Sequence, residues 1–150
     1  SRGLGDVYKR QVWLAIDDAK VENGCLRFIK GSHKEKKLKS HNINDNKNLT
    51  LNQELDESEY NEKDAVNLIL KRGQISLHDV YLVHGSEANN SSMARRAVTM
   101  RFMPTSSVFD HQMVKDKNLF SKLNASKYQD RKIYHMRGRD ISGKNNLTYI

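Results

Sequence analysis

Between Gly73 and Pro104 apolar and polar positions alternate in two runs, Gln74–Val83 and Arg95–Met103, joined by a polar loop rich in Gly, Ser and Asn. A period of two is the signature of a β-strand. In the second run Val98, Met100 and Phe102 fall on one face, while Arg95, Ala97, Thr99 and Arg101 share the other. The polar and small face suits a wet interior, and the apolar face would then pack outward against a covering layer. Upstream, Val12–Ile16 is a short, nearly continuous apolar run that reads as a buried strand. Asp17-Asp18 and Glu22-Asn23-Gly24 punctuate a turn, and Cys25–Ile29 returns as a second strand. Val66–Leu70 reads as another strand, closed by the turn residues Lys71-Arg72-Gly73. Helical periodicity is scarce. Met113–Leu123 is the one short helix predicted, and Lys132–Met136 reads as a further strand or extended segment.

Two segments break the β pattern. Lys34 to Glu62 is charged and Asn-rich with little periodicity, which predicts a long surface excursion or lid. Ser1 to Gln11, SRGLGDVYKRQ, carries no continuous strand or helix pattern and resembles the conceptual translation of a sequencing-library adaptor. It is set aside as non-native sequence. The expected organisation is therefore a non-native 1–11, a partial β-domain over 12–110 and a basic extension over 111–150.

At 150 residues the chain is long enough for one domain with a real core. Its formal net charge of +8 is concentrated late in the chain. From His111 onward nine lysines and arginines face three aspartates, a net +6. Such a tail can attract acidic surfaces. It lacks interleaved aromatic residues and any recognition motif, so no nucleic-acid partner is expected. Cys25 is the only cysteine, which excludes an intrachain disulfide and a cysteine-built zinc site. No apolar run approaches the length of a membrane span, and a cytoplasmic location is the expectation.

The chemistry concentrates on the loop between the two alternating runs. His84 ends the first run, and Arg95 opens the second eleven residues later. A histidine at a strand end can hold a metal, although imidazole alone suits Fe, Zn, Cu or Ni. An arginine fork beside it suits a carboxylate, gripped by two parallel hydrogen bonds. Arg96 is a rival by composition, but strand alternation sends it to the opposite face. Arg101 shares the face of Arg95 but lies six residues on, about 20 Å away at ~3.3 Å per residue, too far to share one small co-substrate.

LHDVYLVHGSEANNSS followed by RRAVTMRFMP, with VWLAIDDAKVENGCLRFIKGSH upstream, resembles the phytanoyl-CoA dioxygenase family across roughly Val12 to Val108. One departure is Lys30, where the family usually carries proline before Gly-Ser-His. The resemblance implies the distal part of a double-stranded β-helix, a cupin-like jelly-roll, dependent on Fe(II) and 2-oxoglutarate. It implies His84 as the distal iron ligand, Arg95 as the grip on the far carboxylate of 2-oxoglutarate, and Ser86 as a hydroxyl donor beside it. The other two ligands of such a site, a His-x-Asp pair, occur nowhere in the chain and are expected upstream of Val12. His-x-Gly or His-x-Ala at that place would instead indicate a halogenase.

His33-Lys34-Glu35 has the form of a proximal ligand pair and precedes His84 by 51 residues, yet it runs into Lys36-Lys37-Leu38-Lys39. That positive cluster opposes a cation, so His33 reads as a loop anchor. His78, placed with even spacing on the same run as His84, reads as an outer partner of the metal site or a structural residue. Asn89 reads as a loop shaper, and Trp13 and Asp17 as core and turn residues, with Trp13 within reach of the pocket wall. The expected function is oxidation of a small molecule by O₂ with 2-oxoglutarate as co-substrate. The alternative of another class is a non-catalytic jelly-roll module that binds a carbohydrate or an acid.

Overall fold

The computed structural model describes residues 10–37, 39–44, 46, 53–111 and 130–150. In chain order its strands are β1 (Arg10–Ala15), β2 (Leu26–Ile29), β3 (His41–Ile43), β4 (Gln53–Leu55), β5 (Ala65–Leu68), β6 (Ile75–Asp79), β7 (His84–Ser86), β8 (Ala97–Phe102), β9 (Ile133–His135) and β10 (Leu147–Tyr149). The chain divides into two compact units, one of Arg10–Phe102 and one that takes in Met103–Ile150.

In the first unit β1 is the middle strand of a three-stranded antiparallel sheet, ordered β6-β1-β8. A second antiparallel sheet is ordered β5-β2-β7. Trp13 and Ala15 of the first sheet pack with Leu26 of the second and with Ala19, Cys25 and Leu70 of the connecting turns. The core thus lies between the sheets. β1 opens at Arg10, ahead of the Val12 expected, so Arg10 and Gln11 take places in the ladder opposite Asp79 and His78.

The alternation read along β8 survives as two different faces. Trp13 stands between Ser76 and Thr99 in the ladder, and Gln11 between His78 and Arg101, on the inner side. Leu14 stands between Ile75 and Val98, and Val12 between Leu77 and Met100, on the outer side. Ile75, Leu77, Val98, Met100 and Phe102 are all exposed. The apolar face therefore points outward as expected, but no covering layer lies on it among the described residues.

The excursion after Lys34 is more ordered than its composition suggests. β3 and β4 form an antiparallel pair within it, and short 3-10 turns follow at Glu57–Glu59 and Glu62–Asp64. Asp56 and Asn61 start those turns, each accepting a backbone N–H two residues on.

In the second unit β9 and β10 pair in parallel, and β9 falls within the segment predicted as extended. Asn145 ties its turns together, accepting from Phe109 N at 2.9 Å and donating to Ser107 O at 2.8 Å. The helix predicted over Met113–Leu123 lies outside the described residues. No helix among the described residues is long and apolar enough to cross a membrane.

Candidate metal and anion site

The path from His78 to His84 differs from the single strand the alternation predicted. β6 stops at Asp79, whose side chain accepts from Tyr81 N at 3.0 Å while its carbonyl accepts from Leu82 N at 3.1 Å. An aspartate that bonds its own backbone two residues on makes a turn. The chain leaves the first sheet there, so His84 opens β7 in the second sheet instead of ending β6. His78 and His84 consequently belong to different sheets, yet their ring centroids lie 4.8 Å apart.

His84 is exposed, and its Nδ1 lies 2.6 Å from Leu82 O. A carbonyl only accepts, so Nδ1 carries a hydrogen, and the neutral ring then has its lone pair on Nε2. That is the state a metal-binding imidazole needs. The strand start is also pinned from afar: Val83 N donates to Ser32 Oγ at 2.8 Å.

His78 is 5% exposed and bonded at both nitrogens. Gln11 Oε1 accepts from Arg101 Nε at 3.0 Å, which turns the Gln11 amide toward His78 Nε2 as a donor at 3.1 Å. The His78 proton then sits on Nδ1 and points to Ser76 Oγ at 3.2 Å. Burial, with the nearby His84 and Arg101, pushes the His78 pKa down to about 4, so the ring is neutral. Gln11 belongs to the segment read as non-native, so the part of this row carried by the remaining sequence is His78 with Ser76. Phe28 completes the cluster, its ring centroid 5.4 Å from His78 and 6.2 Å from His84.

Arg95 lies two residues ahead of β8 and turns inward. Its guanidinium carbon lies 5.9 Å from the centroid of the Trp13 ring, and Nη2 reaches Ser86 Oγ at 3.4 Å. Its Nε is buried without a hydrogen-bond partner. A buried donor of a charged group left unpaired is costly, and an anion in this position would satisfy it. Trp13, 5% exposed, is thus both core and floor of the arginine site. Arg96 goes the other way. Asp17 takes its Nε and Nη2 at 2.8 and 2.9 Å and also its backbone N at 2.8 Å. These bonds from Arg96, side chain first, hold the Asp17 carboxyl well below the usual carboxylate range.

Arg95 and Ser86 are therefore in contact, and His84 stands two residues before Ser86 on β7. His33 is not part of the site: it sits in the exposed 3-10 turn Ser32–Glu35, and Glu35 is bound to Lys39 at 2.8 Å. Asn89 shapes its loop, accepting from Ser91 N and donating to Met93 O. The residue that sequence reasoning passed over is Asn23, 1% exposed, whose Nδ2 reaches Ala94 O across 71 residues of chain. Its Glu-Asn-Gly setting signals only a turn. Among the described residues no group of three His, Cys, Asp or Glu could hold a metal ion.

Known proteins resemble this chain in sequence and fold. The family model described as phytanoyl-CoA dioxygenase matches residues 7–97. A phytanoyl-CoA dioxygenase domain-containing protein 1 homolog of Dictyostelium discoideum is 36% identical over 94 residues, which is 61% of this chain and 34% of that protein. A phytanoyl-CoA dioxygenase of Arabidopsis thaliana is 34% identical over 89 residues, 59% of this chain and 30% of that one. The chain spans about a third of the length of the curated relatives it matches. Among solved structures, EvdO2 from Micromonospora carbonacea var. aurantiaca complexed with 2-oxoglutarate superposes with a TM-score of 0.56 at 28% identity, covering 63% of this chain and 38% of that one. The two facing antiparallel sheets are the distal part of a double-stranded β-helix.

Proposed function

Because the chain belongs to the phytanoyl-CoA dioxygenase family, we propose that it carries the distal iron ligand and the co-substrate anchor of an Fe(II)- and 2-oxoglutarate-dependent oxygenase acting on a small molecule. The observation that carries this reading is the Arg95 environment. A buried Nε with no partner among the described residues stands beside Ser86 Oγ and over Trp13, and His84 lies two residues before Ser86 on β7. An acid held by Arg95 would lie beside the strand that carries His84. EvdO2, which resembles this chain in fold and sequence, has been solved with 2-oxoglutarate.

His84 supplies one imidazole donor, and a metal built on it takes its remaining protein ligands from outside the described residues. Iron with 2-oxoglutarate supplies oxidation of a substrate C–H bond by O₂, releasing succinate and CO₂. This chain's own residues orient that chemistry. Leu82 O fixes the His84 tautomer, so that Nε2 would be the nitrogen offered to a metal. Arg95 offers Nε and Nη2 to a carboxylate in fork geometry, with Ser86 Oγ as an additional donor. Trp13 shields the guanidinium from water on one side, which strengthens its hold on an anion.

Trp13 is the chain's single tryptophan and lies against the arginine, so its fluorescence reports occupancy directly. Titration with 2-oxoglutarate should give a saturable change in the chain as it stands and none in Arg95→Ala. A flat titration of the unaltered chain, or an equal response in Arg95→Ala, would overturn the reading.

A further inference from the structure

Arg95 is not held by its own strand, since β8 begins only at Ala97. What holds its backbone is the turn between β1 and β2, more than 70 residues earlier in the chain. We infer that this turn is a positioning device for the anion site, with Asn23 as its central residue and Asp17 as its second hold. The inference rests on the reading of Arg95 as the co-substrate anchor, and it adds residues that touch neither metal nor co-substrate.

Three contacts define the device. Asn23, 1% exposed, uses its whole amide: Oδ1 accepts from Lys20 N at 2.7 Å, and Nδ2 donates to Asp18 O at 2.8 Å and to Ala94 O at 3.3 Å. It is therefore bonded at once to its own turn and to the residue immediately before Arg95. Asp17 takes the residue immediately after, through the Arg96 backbone N–H and both arms of its guanidinium. The Arg95 backbone is thus fixed on both sides by one turn. Gly24 presses on the other end of the same loop. A Cβ added there would lie 2.5 Å from Glu87 O, and its φ of +74° is a conformation that favours glycine.

The loop so held runs from Ser86, beside the carboxylate site, to Arg95, which grips it. It is exposed except at Ser91 and Arg95 and carries no strand pairing between Glu87 and Arg96. Without the turn, nothing else among the described residues bonds Ala94 O or the Arg96 backbone N–H. A fork-shaped donor needs angular precision, and a small drift of the backbone at Ala94 displaces the guanidinium off Trp13.

The test separates positioning from plain stability. Asn23→Asp is isosteric, keeps the acceptor for Lys20 N and removes the donor to Asp18 O and Ala94 O. Asn23→Ala removes both. Leu70→Ala, a core truncation that leaves the side-chain bonds to Ala94 and Arg96 in place, serves as a destabilised comparison. Two quantities are read on the full chain well below its melting temperature: 2-oxoglutarate affinity through Trp13 fluorescence, and amide hydrogen exchange of residues 87–96. Both Asn23 variants should bind 2-oxoglutarate at least fivefold more weakly and exchange the loop faster, while Leu70→Ala does neither. Asp17→Asn should give a smaller shift in the same direction. Wild-type affinity and exchange in the Asn23 variants, or equal losses in Leu70→Ala, would overturn the positioning role. If the unaltered chain fails to bind 2-oxoglutarate, the co-substrate reading falls, and hydrogen exchange alone decides whether the turn holds the loop.

Discussion

The two faces of the β6-β1-β8 sheet are built from the same strands and differ in almost everything else. The inner face carries Trp13, Ser76, His78, Thr99 and Arg101, with Arg95 folded in at its end. Gln11 bonds across strands to His78 and Arg101, Ser76 bonds His78 along β6, and the one large apolar side chain is buried. The outer face carries Leu77, Met100, Val98, Ile75 and Phe102, all exposed, Leu77 to 65%. In an ordinary soluble sheet the apolar face is the covered one. Here the polar face is the one turned toward the second sheet, as the proposed site would require, since a dry core would exclude its charged donors. The apolar face is left to be covered from outside.

This contrast can be broken by substitution. The largest effect is expected at Trp13, where Trp13→Ala should cost about 3–5 kcal/mol through the cavity it leaves in the core. Met100→Ala, on the outer face, should cost about 1 kcal/mol or less. Urea unfolding midpoints read both, and similar losses would mean that the faces are not energetically distinct. Next comes association. An exposed apolar face flanked by the open edges of β6 and β8 invites self-association. The chain should therefore sediment as oligomers or aggregate, with weak cooperativity on heating. Leu77→Glu combined with Met100→Glu should shift it toward monomer, and an unchanged sedimentation profile would assign the association to the strand edges.

The inner face is tested more finely by its paired arginines. Arg95→Lys keeps the charge but loses the fork, and since a charge-assisted hydrogen bond contributes roughly 1.5–3 kcal/mol, 2-oxoglutarate affinity should fall about tenfold or more. Arg96→Lys should leave most of that affinity intact, because Asp17 still accepts the Arg96 backbone N–H position. A stronger loss at 96 than at 95 would put the anion on the other side of the strand. The smallest effect is expected from pH. The Asp17 carboxyl is held below its unfolded value by Arg96, so its contribution is fully present above the ordinary carboxylate range and is lost as pH falls through the depressed folded value. Melting temperature followed from pH 5 to pH 2 should therefore drop less steeply in Asp17→Asn than in the unaltered chain.

The sequence by itself determined which residues could do chemistry. His84 and Arg95 stand out by position, Ser86 by the resemblance, and the two faces of β8 by strict alternation. Strand alternation is a local property, so Arg95 and Arg96 could be sent to opposite sides without a fold. What the sequence could not decide is where the chain changes sheets. Gln74–Val83 reads as one strand because its apolar pattern continues past Asp79, whereas the Asp79 side chain ends the strand by bonding Tyr81 N. His78 and His84 were thus expected in one row and instead meet from two sheets. The excursion after Lys34 hid the β3–β4 pair for a related reason: strand pairing is satisfied across a gap, and charged, Asn-rich strands carry no alternation to betray it. Asn23 was invisible as more than a turn residue, since its role depends on Ala94 lying 3.3 Å away. Local pattern fixes what a side chain can do and which way it points. Only tertiary packing decides what it meets, because hydrogen bonds act over a few ångströms of space and take no account of separation along the chain.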